Sequence, residues 1–568
     1  MMRGIKIAVA VLICLVWSVA CGGPPEGVDY WFVDSLIKVF PSDNLRAASA
    51  GAKTAELWGA RNQHVSLQVA LRSAKLLTSV TGECEPLKGP SGATIQNIQL
   101  NPVGYVVVAT HSEDTPAEEL VGEAPGWYPD VLLDFPMELK ANWTSSIWLT
   151  IPIPTDSPPG LYQGVLTVRS GQQELAQAPV RLNVVATQIP QDRTLKVTNW
   201  FTLADRHCRQ FFDAPQFSPE WWTLIENVAR VMGDHRQNVI ITPIQDLTRA
   251  YIDGGRIRYD FSNFDRWVDT FRSKGGFKFI EGDHLLGRQG GSYDEPLQVS
   301  TFQLVKGKVQ RLPLPVDDPL VEPALVGFLS ALNKHLEEKN WKSIYLQHVL
   351  DEPHGTEPPY YARFAGVVRR CLPGIPTIDA IDAEDVATEV TQNSDIWVPQ
   401  LGRFDSKVEM LQQRIQSGHE VWFYTCLFPR AHYMSRLIDF PLIKTRLLHW
   451  LNFQQNLTGF LHWGGNYWTP KPMMNTQPVI NLNQEYLPPG DAFIVYPDKA
   501  RRSLYSSIRL EAMREGIEDY ELLKVLAQRN PQEAQHIVKQ AITTFTDYVR
   551  DVPTFRKIQR GLLEEASK

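Results

Sequence analysis

From about Asp29 to Pro190 apolar and polar positions alternate with a period of two. His64-Val65-Ser66-Leu67-Gln68-Val69-Ala70-Leu71 and Ser146-Ile147-Trp148-Leu149-Thr150-Ile151 show the pattern, which belongs to strands with one buried face. Turn residues separate the runs, with Pro158-Pro159-Gly160 just ahead of Tyr162-Gln163-Gly164-Val165-Leu166-Thr167-Val168. The spacing predicts an antiparallel β-sandwich. At Gln188-Ile189-Pro190-Gln191-Asp192 the pattern changes, and short apolar runs begin to alternate with amphipathic stretches of helical period. Strand candidates fall at 196–202, 238–242, 277–281, 343–350, 375–379, 395–399, 420–425 and 457–462. Strands alternating with helices imply a parallel sheet, and eight of them predict a closed (β/α)₈ TIM-type barrel in an α/β fold class. After Trp468 a Pro- and Asn-rich loop leads into a helical tail from about Leu504. Leu510, Met513, Ile517 and Tyr520 share one face of it, which should dock on the barrel. Gly516 marks a close backbone approach, and Arg514 sits at helical spacing from Glu511 and Glu518 as a structural ion-pair network. The expected domains are a signal peptide at 1–20, a sandwich at 21–190, a barrel at 191–500 and C-terminal helices at 501–568.

The first twenty residues change the picture of where the chain works. Arg3 and Lys6 precede the apolar run Ile7 to Trp17, and Ser18-Val19-Ala20 stand directly before Cys21. That is a secretory signal too short to span a bilayer. Small residues ending against a Cys followed by Gly22-Gly23 resemble a bacterial lipobox, which predicts cleavage before Cys21 and a lipid on its thiol. The expected location is the bacterial cell envelope, with the chain anchored to a membrane. Loss of Arg3 and Lys6 takes the formal charge from −7 to −9, which argues against nucleic acid as a partner. Cys84, Cys208, Cys371 and Cys426 are too scattered for a zinc site, and no metal or other cofactor is expected. They are either paired in an oxidising compartment or buried as free thiols.

The candidate chemistry lies at the end of the fourth strand. Ser343-Ile344-Tyr345-Leu346-Gln347-His348-Val349-Leu350 runs into Asp351-Glu352-Pro353, and barrel enzymes carry their reactive groups on loops at the C-terminal ends of strands. An Asp-Glu pair beside a Pro is also common in solvated loops. Adjacency is the informative feature, because ordinary glycosidases flank the scissile bond with carboxyls from different strands, roughly 5 to 10 Å apart. Neighbouring carboxylates suit a mechanism in which the substrate's own 2-acetamido oxygen attacks the anomeric carbon. In that scheme Glu352 is the acid/base and Asp351 orients the acetamido N–H, and mutual repulsion raises the pKa of one of them. The seventh and eighth strands bring aromatic rings to the same rim. Tyr424, Trp463 and Asn466 are expected to face a sugar, along with Tyr467 and Trp468, while alternate residues belong to the core. Asn199 and His284 are further candidates.

Several segments together resemble glycoside hydrolase family 123. They are Val349-Leu350-Asp351-Glu352-Pro353, Trp422-Phe423-Tyr424-Thr425-Cys426-Leu427-Phe428-Pro429-Arg430, the run from Pro441 to Trp450, Gly459-Phe460-Leu461-His462-Trp463-Gly464 and the helix from Arg509 to Leu523. The resemblance covers roughly Thr198 to Leu526. It implies a retaining β-N-acetylgalactosaminidase that uses an adjacent Asp-Glu pair, matched here by Asp351 and Glu352. It also implies an oligosaccharide or glycoconjugate substrate with terminal β-linked N-acetylgalactosamine, and no cofactor. Two other readings compete: a glycosidase for another sugar, with its second carboxylate on another strand, and a non-catalytic lipoprotein that captures glycans.

Overall fold

A computed structural model describes residues 27–44, 55–291, 293–382, 387–479 and 486–568. The expected signal peptide and Cys21 lie outside the described residues. Ten longer strands between Val28 and Gln188 form two facing sheets. One orders Val28–Asp34, His64–Ser73, Thr144–Pro152, Gln99–Val108 and Gly126–Leu132; the other orders Ala55–Arg61, Gln173–Gln188, Gly160–Ser170, Leu77–Cys84 and Met137–Leu139. Val69, Ile147, Leu166, Val180 and Leu182 fill the space between them, as period-two alternation requires. One pairing departs from the all-antiparallel expectation: Ala55–Arg61 runs parallel to Gln173–Gln188. The chain between these two strands crosses both sheets before returning, which is the long connection that parallel neighbours need.

Eight parallel strands follow: β1 (Lys196–Asn199), β2 (Val239–Thr242), β3 (Phe279–Gly282), β4 (Tyr345–Gln347), β5 (Ile378–Ile381), β6 (Ile396–Pro399), β7 (Trp422–Tyr424) and β8 (Gly459–His462). They form three separate ladders, β1-β8-β7, β2-β3-β4 and β5-β6. Lone parallel bridges Gln347 to Thr377, Trp397 to Val421 and Gln400 to Tyr424 join the ladders. Between β1 and β2 the amide of Asn238 donates to Val197 O (3.3 Å), and its side chain adds two bonds, accepting from Val197 N (2.9 Å) and donating to Leu195 O (2.9 Å). Val239, Leu346, Ile378, Val398, Trp422 and Leu461 pack together as one apolar cluster. Strand β4 stops at Gln347, short of the expected Leu350. Beyond it the amide of Val349 donates to both oxygens of Asp379 (3.1 and 3.2 Å), so a side chain replaces the ladder there.

The long helix Ile508–Arg529 is buried on every side from Ile508 to Leu523, rather than on one face. Its charged residues are paired outward: Arg509 with Asp130, Glu511 with His235, Glu518 with His64 and Arg236, Asp519 with Arg446. Arg514 meets Glu511, whereas Glu518 is taken by other elements. A Cβ on Gly516 would stand 2.5 Å from the carbonyl oxygen of Arg446, so this helix and Leu442–Gln455 approach as closely as backbones allow. Cys84, Cys208, Cys371 and Cys426 are free thiols.

Candidate active site

Asp351 and Glu352 follow β4 as half-buried neighbours. Glu352 has φ +44°, a left-handed conformation that costs a non-glycine residue energy and breaks the alternation of a strand. Arg288, on the short strand Leu286–Arg288, braces this turn. It donates to the carbonyls of Asp351 (3.0 Å) and Glu352 (3.3 Å) and clasps both oxygens of Glu357 (2.9 and 2.7 Å). Glu357 in turn accepts from the amide of His354 (3.1 Å). The loop is therefore held by a bidentate ion pair, a stiff arrangement.

Two hydroxyls grip Glu352: Tyr424 donates to Oε1 and Tyr293 to Oε2. Tyr424 is buried at the end of β7, while Tyr293 is 47% exposed and stacks over the Arg288 guanidinium at 4.5 Å. Burial first, and the adjacent Glu352 charge second, push the carboxyl of Asp351 up to about 7, against the pull of His348 and Arg288. The raised group of the pair is thus Asp351. Asp382, just past β5, is also raised, by burial and then by Glu352, which makes it a third carboxylate at the site.

Tyr467 is raised to about 12, by burial and then by the charge of Asp351. Trp463 leans on the Tyr467 ring (5.3 Å between centroids) and donates its Nε1 to buried Asp491 (3.1 Å). His284 lies between the rings of His348 (4.4 Å) and Trp200 (5.2 Å) and is held well below the usual histidine range by burial and by His348 and Arg288. A groove of about 580 Å³ runs past Asp283, His284, Arg288, Gln298, Arg311 and Asp351. A second hollow, about 230 Å³, shares Asp283 and His284 and is walled by Trp200, Trp221, Trp267 and Tyr467. A larger surface hollow, about 630 Å³, sits at the N-terminal strand ends around Arg193, Asn238 and Lys278 and contains none of these groups.

Three expected sugar-facing residues are buried and bonded within the fold. Asn466 is 2% exposed, and its amide clamps the backbone of Thr202, accepting from N (2.8 Å) and donating to O (2.9 Å). Asn199, equally buried, accepts from Arg436 (2.6 Å). Trp468 stacks on His207 and donates to Val495 O (2.6 Å). Conversely, Arg288 and Tyr293 escaped the sequence reading, since each acts from the Leu286–Arg288 segment and the loop after it, where no local pattern marks them.

His284, His348 and Asp379 offer metal-ligand atoms within 4.8 Å of one another. Carboxylate oxygens face both nitrogens of His348, Glu281 at 2.7 Å and Asp379 at 3.1 Å. A ring protonated on both sides has no lone pair for an ion, so the cluster is better suited to holding charge than metal.

A family model described as the glycoside hydrolase 123 catalytic domain matches residues 204–526, and one described as the glycoside hydrolase 123 N-terminal domain matches residues 42–170. Among solved structures the chain is similar to a family 123 glycoside hydrolase from Clostridium perfringens, studied for glycolipid glycan hydrolysis. The identity is 17%, the TM-score 0.72, and the match covers 95% of this chain and 97% of that one. A family 39 glycoside hydrolase from Bacteroides cellulosilyticus WH2 matches with 11% identity and TM-score 0.33, covering 82% of each chain. A beta-D-glucuronidase of Dictyoglomus thermophilum matches with 8% identity and TM-score 0.33, over 81% of this chain and 66% of that one. No curated protein matches the sequence.

Proposed function

The chain belongs to glycoside hydrolase family 123, and from that premise we propose that it removes terminal β-linked N-acetylgalactosamine with retention, through the substrate's own acetamido group. The observation that carries this is the adjacent pair itself: Asp351 sits near neutrality, and Glu352 is gripped by the hydroxyls of Tyr293 and Tyr424. An acetamido N–H donating to Asp351 favours its anion, and Glu352 serves as the acid. The acetamido oxygen then attacks the anomeric carbon, the glycosidic C–O bond breaks, and the leaving oxygen takes the Glu352 proton. Asp351 balances the positive oxazoline-type ring. Water next attacks the anomeric carbon, giving its proton to Glu352 and reopening the acetamido group, so two inversions return the starting configuration.

In this reading the eight strands are the staves of one closed barrel, with 191–500 as the catalytic domain and 21–190 as the sandwich that supports it. Tyr467, Trp463 and His284 form the sugar's wall, and the groove beside Arg288 takes the rest of a glycolipid-type oligosaccharide. Lipid on Cys21 holds the enzyme at the cell envelope; mass analysis of the Cys21→Ser chain against the native one tests that anchor. The test of function is hydrolysis of the p-nitrophenyl β-N-acetylgalactosaminide, β-N-acetylglucosaminide and β-galactoside. Turnover of the first, absent on the galactoside and lost in Glu352→Gln, is the expected outcome. Glycan binding without hydrolysis of any acetamido sugar would overturn it.

Asp382 favours one other reading, a conventional two-carboxylate glycosidase, because it follows a different strand and feels the charge of Glu352. In that case Asp382→Asn abolishes activity on a sugar lacking the acetamido group, and Asp351→Asn does so less.

A further inference from the structure

Glu281 on β3, His348 just past β4 and Asp379 on β5 come together, each 0% exposed. His348 Nε2 lies 2.7 Å from Glu281 Oε1, and Nδ1 lies 3.1 Å from Asp379 Oδ1. Both carboxylates are themselves pinned. Glu281 accepts from Trp200 Nε1 (2.9 Å) and Thr198 Oγ1 (2.7 Å), and Asp379 accepts from Tyr361 OH (2.7 Å) and from the amide of Val349. Burying three ionisable side chains together is costly unless opposite charges meet, and with both carboxylates held by fixed donors the imidazole between them is placed to carry a positive charge. Burial works against its charge, yet the two carboxylates raise His348 to about 10.

We propose that Glu281 and Asp379 hold His348 as a permanent imidazolium, and that this buried cation, three residues before Asp351, is the positioning group that keeps Asp351 able to ionise at neutral pH. The proposal rests on the reading of Asp351 as the anion that orients the acetamido group. The charges acting on Asp351 are Glu352 on its own loop, His348 at the end of its strand, Arg288 from the neighbouring short strand and Asp379 from β5; Tyr293 and Tyr467 feel its charge in turn, and His284 packs on the His348 ring at 4.4 Å. Glu352 and Asp379 oppose the charge of Asp351, while His348 first and Arg288 second favour it. Arg288 is already committed to Glu357. Asp379 also ties the charge to the geometry, since it holds both the imidazole and the Val349 amide that leads into the Asp351 turn.

The experiment is the pH profile of kcat/KM on the p-nitrophenyl β-N-acetylgalactosaminide for the wild type, His348→Asn and His348→Lys. Loss of the cation moves the acid limb of His348→Asn upward by about one to three pH units, and His348→Lys, which restores a positive charge, brings it back. An acid limb unmoved in His348→Asn, or moved equally in both variants, overturns the proposal. Should the variants fail to fold, the wild-type enzyme labelled with ¹⁵N-histidine decides. At least one imidazole must stay doubly protonated at about pH 9, far above the usual histidine range, and its absence overturns the proposal. The labelling needs no substrate, so a wild type inactive on acetamido sugars defeats the functional reading and leaves the imidazolium separately tested.

Discussion

At the scale of single residues, Asp351 and Glu352 carry different predictions for activity and stability. In the proposed mechanism Glu352 moves the proton, so Glu352→Gln should lower kcat by about 10²- to 10⁴-fold, measured on the p-nitrophenyl β-N-acetylgalactosaminide with its KM little changed. Asp351 behaves differently, because its folded-state carboxyl is raised to about 7 by burial and by Glu352. Activity that needs its anion is lost as pH falls through that value. Stability has the reverse dependence. A raised carboxyl favours the folded state while protonated, so the cost of holding the anion grows from the unfolded value, about pH 4, and is complete above about 7. Asp351→Asn should therefore be inactive yet melt higher than the wild type at about pH 8, with the difference gone near pH 4. Equal melting shifts at both pH values would sink this account. The place of these two residues just past β4 was legible because an apolar run in the sequence leads into them. Asn466 was not, because an Asn beside aromatic rings looks the same in sequence whether its amide meets a sugar or, as here, the Thr202 backbone.

At the scale of elements, the helix Ile508–Arg529 shows what periodicity can and cannot reveal. The apolar stripe of Leu510, Met513, Ile517 and Tyr520 announced a helix and one packed face. Burial of its other faces depends on partners far away in the chain, such as His64, Asp130 and Arg446, which no local window contains. The eight strand positions were readable for the converse reason, since each is a short apolar run between helices. Their ladders were not, and β4 ends early because Asp379 takes the Val349 amide. Gly516 was legible as a close approach, and its Cβ would meet the Arg446 carbonyl oxygen at 2.5 Å. Backbone cannot yield as a side-chain tip can, so Gly516→Ala should destabilise by about 1–3 kcal/mol despite its better helix propensity. Urea unfolding measures this, and a neutral or stabilising result would show that the two helices can separate freely.

At the scale of the molecule, the sandwich and the parallel-stranded region share a core instead of merely touching. Tyr128, Val131 and Trp148 belong to the same apolar cluster as Leu510 and Met513, and Glu119 of the sandwich reaches buried Lys444 at 2.9 Å. The tightest link is Arg509, whose five donors are all used: Nε and one amino group on Asp130, the rest on the carbonyls of Arg436, Gly490 and Phe493. Those last two carbonyls bracket Asp491 and Ala492, which hold the Trp463 indole and the Tyr467 amide. The sandwich thus reaches the proposed sugar wall through one guanidinium. Asp130→Asn leaves that buried cation without its counter-charge and should cost about 3–5 kcal/mol, seen as a lower midpoint in a single calorimetric transition that includes both regions. Because the loop it steadies holds Trp463 and Tyr467 by hydrogen bonds but neither Asp351 nor Glu352, the surviving folded enzyme should show a raised KM with kcat largely kept. A variant that melts in two steps would mean the sandwich folds independently. One that loses kcat alone would mean Arg509 supports the chemistry directly, through a path other than the 490–493 loop.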